Sequence, residues 1–412
     1  MEIQGQNVIR VGSRKSELAL IQTNFVIDSL KKVYPEKEFT IVTMTTLGDR
    51  ILDVSLPKIG EKSLFTKDLE DALRSSKVDF VVHSLKDLPT SLPEGLAIGA
   101  VFEREDPRDA LVLREELKEH TLSSLPAGSV IGTSSLRRTA QLHGSYPHLT
   151  ISDVRGNLNT RLRKLDADDQ KYSALLLASA GLHRMGWGHR ISRVLPCAEM
   201  KYAVGQGALA VECSSKNEAI LNMLAPFNHA ETYCRILAER SFLKTLGGGC
   251  SAPVGVSTTL KPFDSQYKFT ITGAVWSLDG TTKIDHTQTE MFTQIKKTQK
   301  HKLSPTEESE NKKLKTDDDI SNKLNPIEKL NKDIDDKINN LNCEDFGDNS
   351  KELTENVLFC GLTENLNIPI EVIKKCDSIG KELANALIEK GALEVMKVTQ
   401  DLIRNSTANK SS

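Results

Sequence analysis

Hydrophobic positions along the first half of the chain follow two alternating periods. Short strand-like runs at residues 8–11, 39–46, 78–82, 129–132, 149–154 and 174–178 are separated by stretches in which apolar side chains recur every three or four positions. Leu18, Ile21 and Phe25, then Val26, Leu30 and Val33, would share one face of a helix opening at Ser13. Leu69, Ala72 and Leu73 would face inward from a helix opening at Thr66. Strand–helix alternation at this spacing predicts an α/β fold around largely parallel sheets. The alternation comes in two blocks, which predicts two lobes divided near residues 104–109 with a binding cleft between them.

From residue 231 the pattern changes. A helix is expected to run to 246 and stop at Gly247, as glycine-terminated helices do. Strand-like runs follow at 254–259, 268–276 and 282–289, the last two joined across Asp279-Gly280, a hairpin signal. Residues 294–356 are rich in Lys, Asp, Glu, Asn and Ser and poor in aromatics, a composition that cannot bury a core and is expected to be a disordered insertion. Within it Ile327, Leu330, Ile334, Ile338 and Leu341 fall at helical spacing after Pro326. Helices are expected again at 378–390 and 392–403. The division that results is 1–104 with 205–228 as lobe 1, 105–204 as lobe 2, and 229–412 as a smaller α+β C-terminal domain.

A chain of 412 residues has room for roughly two to four domains. Its net charge of −2 argues against general affinity for nucleic acid or acidic membranes, so basic chemistry must be local. The N-terminus enters a strand-like pattern with no apolar signal or Arg/Ser-rich transit segment before it. The longest apolar stretch, 174–182, falls well short of the roughly 20 residues of a spanning helix. Seven scattered cysteines without a CxxC pair argue against both a disulfide framework and a zinc site. A cytoplasmic protein without a metal is expected.

Three features carry candidate chemistry. Basic residues crowd predicted helix starts, where they oppose the macrodipole at roughly 0.3–1 kcal/mol each: Arg14 and Lys15 after Ser13; Arg137 and Arg138 after Thr133, Ser134 and Ser135; Arg161 inside the helix opened by Asn157, with Arg155 just before it. Free N–H groups and arginine together favour phosphate or carboxylate, so a polyanion is the inferred ligand. Next, His83-Ser84-Leu85-Lys86-Asp87 leaves a buried strand at its carboxyl end, where open α/β sheets place ligand chemistry; there Asp87 could stabilise a cation or exchange protons. Finally, Gly247-Gly248-Gly249 precede Cys250, whose thiol is therefore a candidate nucleophile or attachment point. The segment 56–65, with Gly60, is a candidate lid. For each feature the plain alternative is a solvated surface charge, a polar turn or a helix end.

Taken together, these segments resemble the hydroxymethylbilane synthase (porphobilinogen deaminase) family. The resemblance is carried by VGSRKSELALIQT at 11–23, GEKSLFTKDLE at 60–70, VVHSLKDLPT at 81–90, GTSSLRRTAQL at 132–142 and VRGNLNTRLRKLD at 154–166. It continues through AGLHRMGW at 180–187, YAVGQGALAVE at 202–212 and GGCSAPVG at 248–255. It implies two lobes like a type II periplasmic binding protein plus a third domain, and a dipyrromethane cofactor in thioether linkage at Cys250, one per chain. It also implies that four porphobilinogen units are condensed with loss of ammonia before water frees the linear tetrapyrrole. By motif, Asp87 is the catalytic carboxylate. Arg14, Lys86, Arg137, Arg138, Arg155, Arg161 and Arg184 would bind acetate and propionate groups. Ser84, Thr133, Ser134 and Ser135 would add polar contacts, and Gln206 would sit at the lobe crossing. Gly247 departs from the family's usual glutamate, so any contact of that carboxylate is lost. The expected partner is porphobilinogen alone, bound by a monomer without nucleic acid or membrane. A non-catalytic two-lobed anion binder would explain the arginines but not Cys250 or Lys86-Asp87. A nucleic-acid binder is disfavoured by the charge balance and by 5% aromatics.

Overall fold

The structure, a computed structural model, describes residues 8–50, 65–247, 252–296 and 358–408. Cys250 with Gly248 and Gly249, residues 56–64 of the candidate lid, and residues 297–356 of the polar segment with its helical pattern lie outside the described residues.

The chain opens with β1 (Val8–Arg14), α1 (Glu17–Val33) and β2 (Glu38–Met44), then the short α2 (Leu47–Arg50) and α3 (Lys67–Arg74), β3 (Phe80–Ser84) and β4 (Leu96–Val101). It then crosses to a second sheet built from β5 (Asp109–Leu113), β6 (Val130–Gly132), β7 (Thr150–Ser152), β8 (Ala174–Ala178) and β9 (Arg193–Val194). Helices α4 (Leu136–Ser145), α5 (Leu158–Leu165) and α6 (Ser179–Arg184) follow β6, β7 and β8. The chain returns to the first sheet as β10 (Leu209–Ser214), followed by α7 (Glu218–Leu224).

The two sheets share one plan. In the first, β2-β1-β3 are parallel and β10 lies antiparallel between β3 and β4. In the second, β7-β6-β8 are parallel and β5 lies antiparallel between β8 and β9. The antiparallel strand of each sheet is the one that arrives from the other lobe, so the sheets are mixed where largely parallel ones were expected. The carboxyl ends of β1, β3 and β8 line the space between the lobes, with Thr45 just past β2 and Arg155 just past β7, where open α/β sheets bind ligands.

The third unit pairs α8 (Ala230–Thr245) with the antiparallel meander β11 (Val254–Phe263), β12 (Gln266–Trp276) and β13 (Lys283–Phe292). Asp279-Gly280 does lie in the turn between β12 and β13. After residue 357 come β14 (Leu358–Phe359), β15 (Leu362–Thr363), α9 (Ile370–Glu389) and α10 (Ala392–Ala408). Helix α9 starts eight residues before the expected 378, because Pro369 caps a longer apolar stripe through Val372, Ile373, Cys376 and Ile379. Gly380 lets α9 meet α8 closely, since a Cβ there would fall 2.2 Å from the Ala238 carbonyl oxygen. Strand β15 extends the first lobe's sheet through Leu362 beside Ile98. One apolar cluster therefore runs from Leu85, Ile98 and Val101 of that lobe to Phe242, Phe269 and Leu383.

Candidate active site

The cleft between the lobes encloses about 510 Å³. Its first wall is the end of β1. The sequence favoured Ser13 as the cap of α1, but Ser16 is the cap, accepting from the Ala19 N–H, while the Ser13 hydroxyl accepts from Thr23 instead. Arg14 therefore ends a strand rather than starting a helix. Its guanidinium is held by Asp49 on α2 and lies 4.5 Å over the Phe65 ring.

Strand β3 runs two residues further than its apolar run, so His83 and Ser84 belong to it and Leu85–Asp87 form a 3-10 turn at its carboxyl end. Ser84 exchanges hydrogen bonds with the Gln22 amide on α1. Asp87 is exposed in the cleft, with no hydrogen bond to a described residue. Lys86, beside it, is pushed down to about 8 by desolvation, helped by Arg138 and Arg137 and opposed by Asp87 and Asp109. Beneath the turn, His83 meets Glu212 of β10 at 3.0 Å in a fully buried pair. Glu70 of α3 is buried nearby, its carboxyl raised by burial and by Glu212.

The second lobe supplies the opposite wall. Thr133, Ser134 and Ser135 lead from β6 into α4: the Thr133 hydroxyl accepts from the Ser135 N–H, and Ser134 donates to the Val154 carbonyl. These hydroxyls brace the loop, and Ser135 caps α4 without a side-chain hydrogen bond. Arg137 and Arg138 do occupy the first turn of α4, but both are buried against Asp109, at 2.7 Å each. Arg138 lines the cleft, whereas Arg137 turns away to the Lys201 carbonyl. Arg155 and Arg161 line the cleft beside α5. Arg161, held by the Gly156 carbonyl at 2.8 Å, is lowered to about 10 by burial and by Arg138 and Arg155. Arg184 ends α6 in a pair with Glu105 at 2.8 Å, and also donates to Gly207.

Two segments cross between the lobes, and Gln206 lies on the second. Its amide donates to Asp109 and Pro107 on the far side of the first crossing, at 2.8 and 2.7 Å. Arg104 of the first crossing donates to the Gln206 carbonyl and forms a buried pair with Glu239 of α8 at 2.6 Å. Asp109 and Glu239 were both missed in the sequence. An acid heading the wholly apolar run Ala-Leu-Val-Leu was the available signal for Asp109.

Sequence profiles decide the family. One described as porphobilinogen deaminase, dipyromethane cofactor binding domain, matches residues 9–222, and one for the porphobilinogen deaminase C-terminal domain matches 233–303. The chain belongs to the porphobilinogen deaminase family. It is 56% identical over 272 residues to the porphobilinogen deaminase of Synechococcus elongatus, covering 66% of this chain and 83% of that one. To that of a Nostoc species it is 53% identical over 275 residues, covering 67% and 83%. Among solved structures, the periplasmic aliphatic sulphonate binding protein SsuA from Escherichia coli matches at 12% identity over 58% of this chain and 71% of that one, with a TM-score of 0.31. So low a score carries no weight beside the strand order.

The cleft fits the family's dipyrromethane. Among the described residues, seven cationic side chains line it against three carboxylates. The buried Nε atoms of Arg137 and Arg138, behind this wall, have no acceptor among the described residues. A cationic surplus of this kind suits a polyanionic ligand, the class inferred from the basic residues at the helix starts.

Proposed function

We infer that the chain catalyses the reaction of its family, an ammonia-releasing transferase step of porphyrin and heme biosynthesis. Four porphobilinogen molecules are joined head to tail on a dipyrromethane primer, and water then releases the linear hydroxymethylbilane. The observation that carries this reading is a cleft whose cationic surplus surrounds Asp87, one of its two exposed carboxylates, at the end of a parallel strand. Bound dipyrromethane supplies the pyrrole carbon to which the first substrate is joined. The protein's own groups do the rest. Arg138, Arg155 and Arg161 grip pyrrole carboxylates. Arg14 and Arg184, paired with Asp49 and Glu105 as Arg138 is with Asp109, share their remaining donors with them. Lys86, Ser84, Gln206 and Arg137 hold the walls and their charge in place, with Thr133, Ser134 and Ser135. Asp87 stabilises the cation left on the incoming substrate when ammonia departs, and accepts from pyrrole N–H groups.

The same reading makes Cys250 the attachment point, as the only cysteine preceded by glycines. It divides the chain at 1–104 with 205–228, 105–204 and 229–412, and makes the protein a cytoplasmic monomer. No helix among the described residues is long and apolar enough to cross a membrane.

The test combines activity with intact mass. Purified protein should release ammonia from porphobilinogen and carry one dipyrrole adduct that Cys250→Ser lacks. Peptide mapping of the adduct to another cysteine would overturn the assignment of Cys250. Absence of any porphobilinogen-dependent ammonia release would overturn the function.

A further inference from the structure

We propose that Asp109 is a positioning residue for the condensation: it fixes the Arg138 guanidinium at the base of the cleft and ties it to both segments that join the lobes. The proposal rests on the reading of the cleft as a pyrrole-carboxylate site.

Asp109 opens β5 directly after the first crossing and is fully buried. A carboxylate in an apolar strand is costly unless its oxygens are satisfied. Here Oδ1 accepts from Arg138 Nη2 at 2.7 Å and Gln206 Nε2 at 2.8 Å, while Oδ2 accepts from Arg137 Nη1 at 2.7 Å. Burial works against the charge, but Arg137 and Arg138 outweigh it and hold the carboxyl well below its usual range.

Two guanidinium groups share one carboxylate, so a positive charge is left over. Arg137 does not line the cleft, and its Nη1 donates to the Lys201 carbonyl as well as to Asp109. Arg138 can present that charge, since it lines the cleft. Its other Nη is fixed to the Leu176 carbonyl at 2.8 Å. The guanidinium is thus held through both Nη atoms, each of which keeps a second N–H. Gln206, on the second crossing, uses the same Asp109 oxygen as Arg138. Any shift between the crossings therefore moves the aim of Arg138, and an anion on Arg138 resists that shift.

Holoenzyme carrying Asp109→Asn or Asp109→Glu, with its dipyrrole adduct verified by mass, is compared with the wild type. Steady-state kinetics with porphobilinogen are measured across pH. Asp109→Asn should raise KM about tenfold or more, the loss of one well-aimed charge-assisted contact, with a much smaller change in kcat. Its alkaline limb should move to lower pH, because Lys86 loses a nearby negative charge that supports its cation. Asp109→Glu keeps the charge but displaces it, so the limb should stay in place while KM remains raised. If Asp109→Asn does not fold, the glutamate variant decides: a raised KM with an unmoved limb supports the proposal, and a wild-type KM overturns it. Folded Asp109→Asn with wild-type KM and pH profile, altered only in melting temperature, would equally overturn it. A wild-type enzyme inert toward porphobilinogen would instead remove the function itself, so the two failures are separable.

Discussion

Arg240 of α8 donates to the Pro89 carbonyl at 2.6 Å, two residues beyond Asp87, and to Leu88 at 3.3 Å. Its third bond goes to Cys360, next to β14, at 3.0 Å, and its guanidinium is lowered to about 10 by burial. A cation buried this completely and satisfied by carbonyls alone links the helix that leads toward Cys250 to the turn that carries Asp87.

Arg240→Met should therefore act on both stability and turnover. It relieves the burial of a charge but strands three carbonyls, and a net loss of about 2–3 kcal/mol is expected from groups costing about 1–3 kcal/mol each. Arg240→Lys should recover little, because one ammonium cannot reproduce the planar fork. Thermal melting and kcat should both fall in the lysine variant, with KM changed less. Wild-type values for both would show that the turn holds itself.

The depressed value of Lys86 predicts an alkaline limit to activity. Its ordinary value is 10.5 and its value in the fold about 8, so the cation the cleft needs is lost as pH rises through about 8. Bound carboxylates favour the cation and shift the limb upward in the loaded enzyme. In kcat/KM, Lys86→Arg should move the limb beyond the measurable range, since guanidinium stays charged. An identical limb in the arginine variant would assign the titration to another group.

Glu70 makes an opposite prediction for stability. Its carboxyl is raised from 4.5 by burial and Glu212. A raised value means that the folded state holds the proton more tightly. Its contribution is therefore full below about pH 4.5 and lost as pH rises through the folded value. Glu70→Gln, which fixes the neutral form, should melt higher relative to the wild type at pH 8 than at pH 5. A pH-independent difference would mean that Glu70 is not carrying the proton.

Much of this arrangement is legible in the sequence, and the exceptions have physical causes. The turn His83-Ser84-Leu85-Lys86-Asp87 could be read because an apolar strand gives way abruptly to polar residues. The start of α1 could not, since Ser13 and Ser16 are equally good caps until Thr23 claims the first. Arg137, Arg138 and Arg161 do lie near helix starts, but local pattern does not reveal a distant counter-ion. Asp109, Asp49 and Glu105 reach their arginines across 28, 35 and 79 positions of chain. The antiparallel entry of β5 and β10 was hidden for the same reason, because strand direction depends on which lobe the chain comes from. The extension of the first sheet by β15 depends on a contact between Leu362 and Ile98, far apart in sequence.

Asp87 should matter to chemistry far more than to folding. It sits exposed on a 3-10 turn just before Leu88 and Pro89, whose carbonyls Arg240 holds, and no described residue depends on its carboxylate for a hydrogen bond. Asp87→Asn keeps the shape and hydrogen-bonding capacity while removing the charge that would stabilise a departing-ammonia cation. Turnover should fall by about 10²–10⁴, the range for a positioned acid–base group. The thermal transition should stay close to that of the wild type. Asp87→Glu keeps the charge but moves it outward by one methylene, so it should fall between the two. Because binding is assigned to the arginines, KM should change much less than kcat in both variants. A variant with normal turnover, or one whose loss lies wholly in KM, would take Asp87 out of the chemical step.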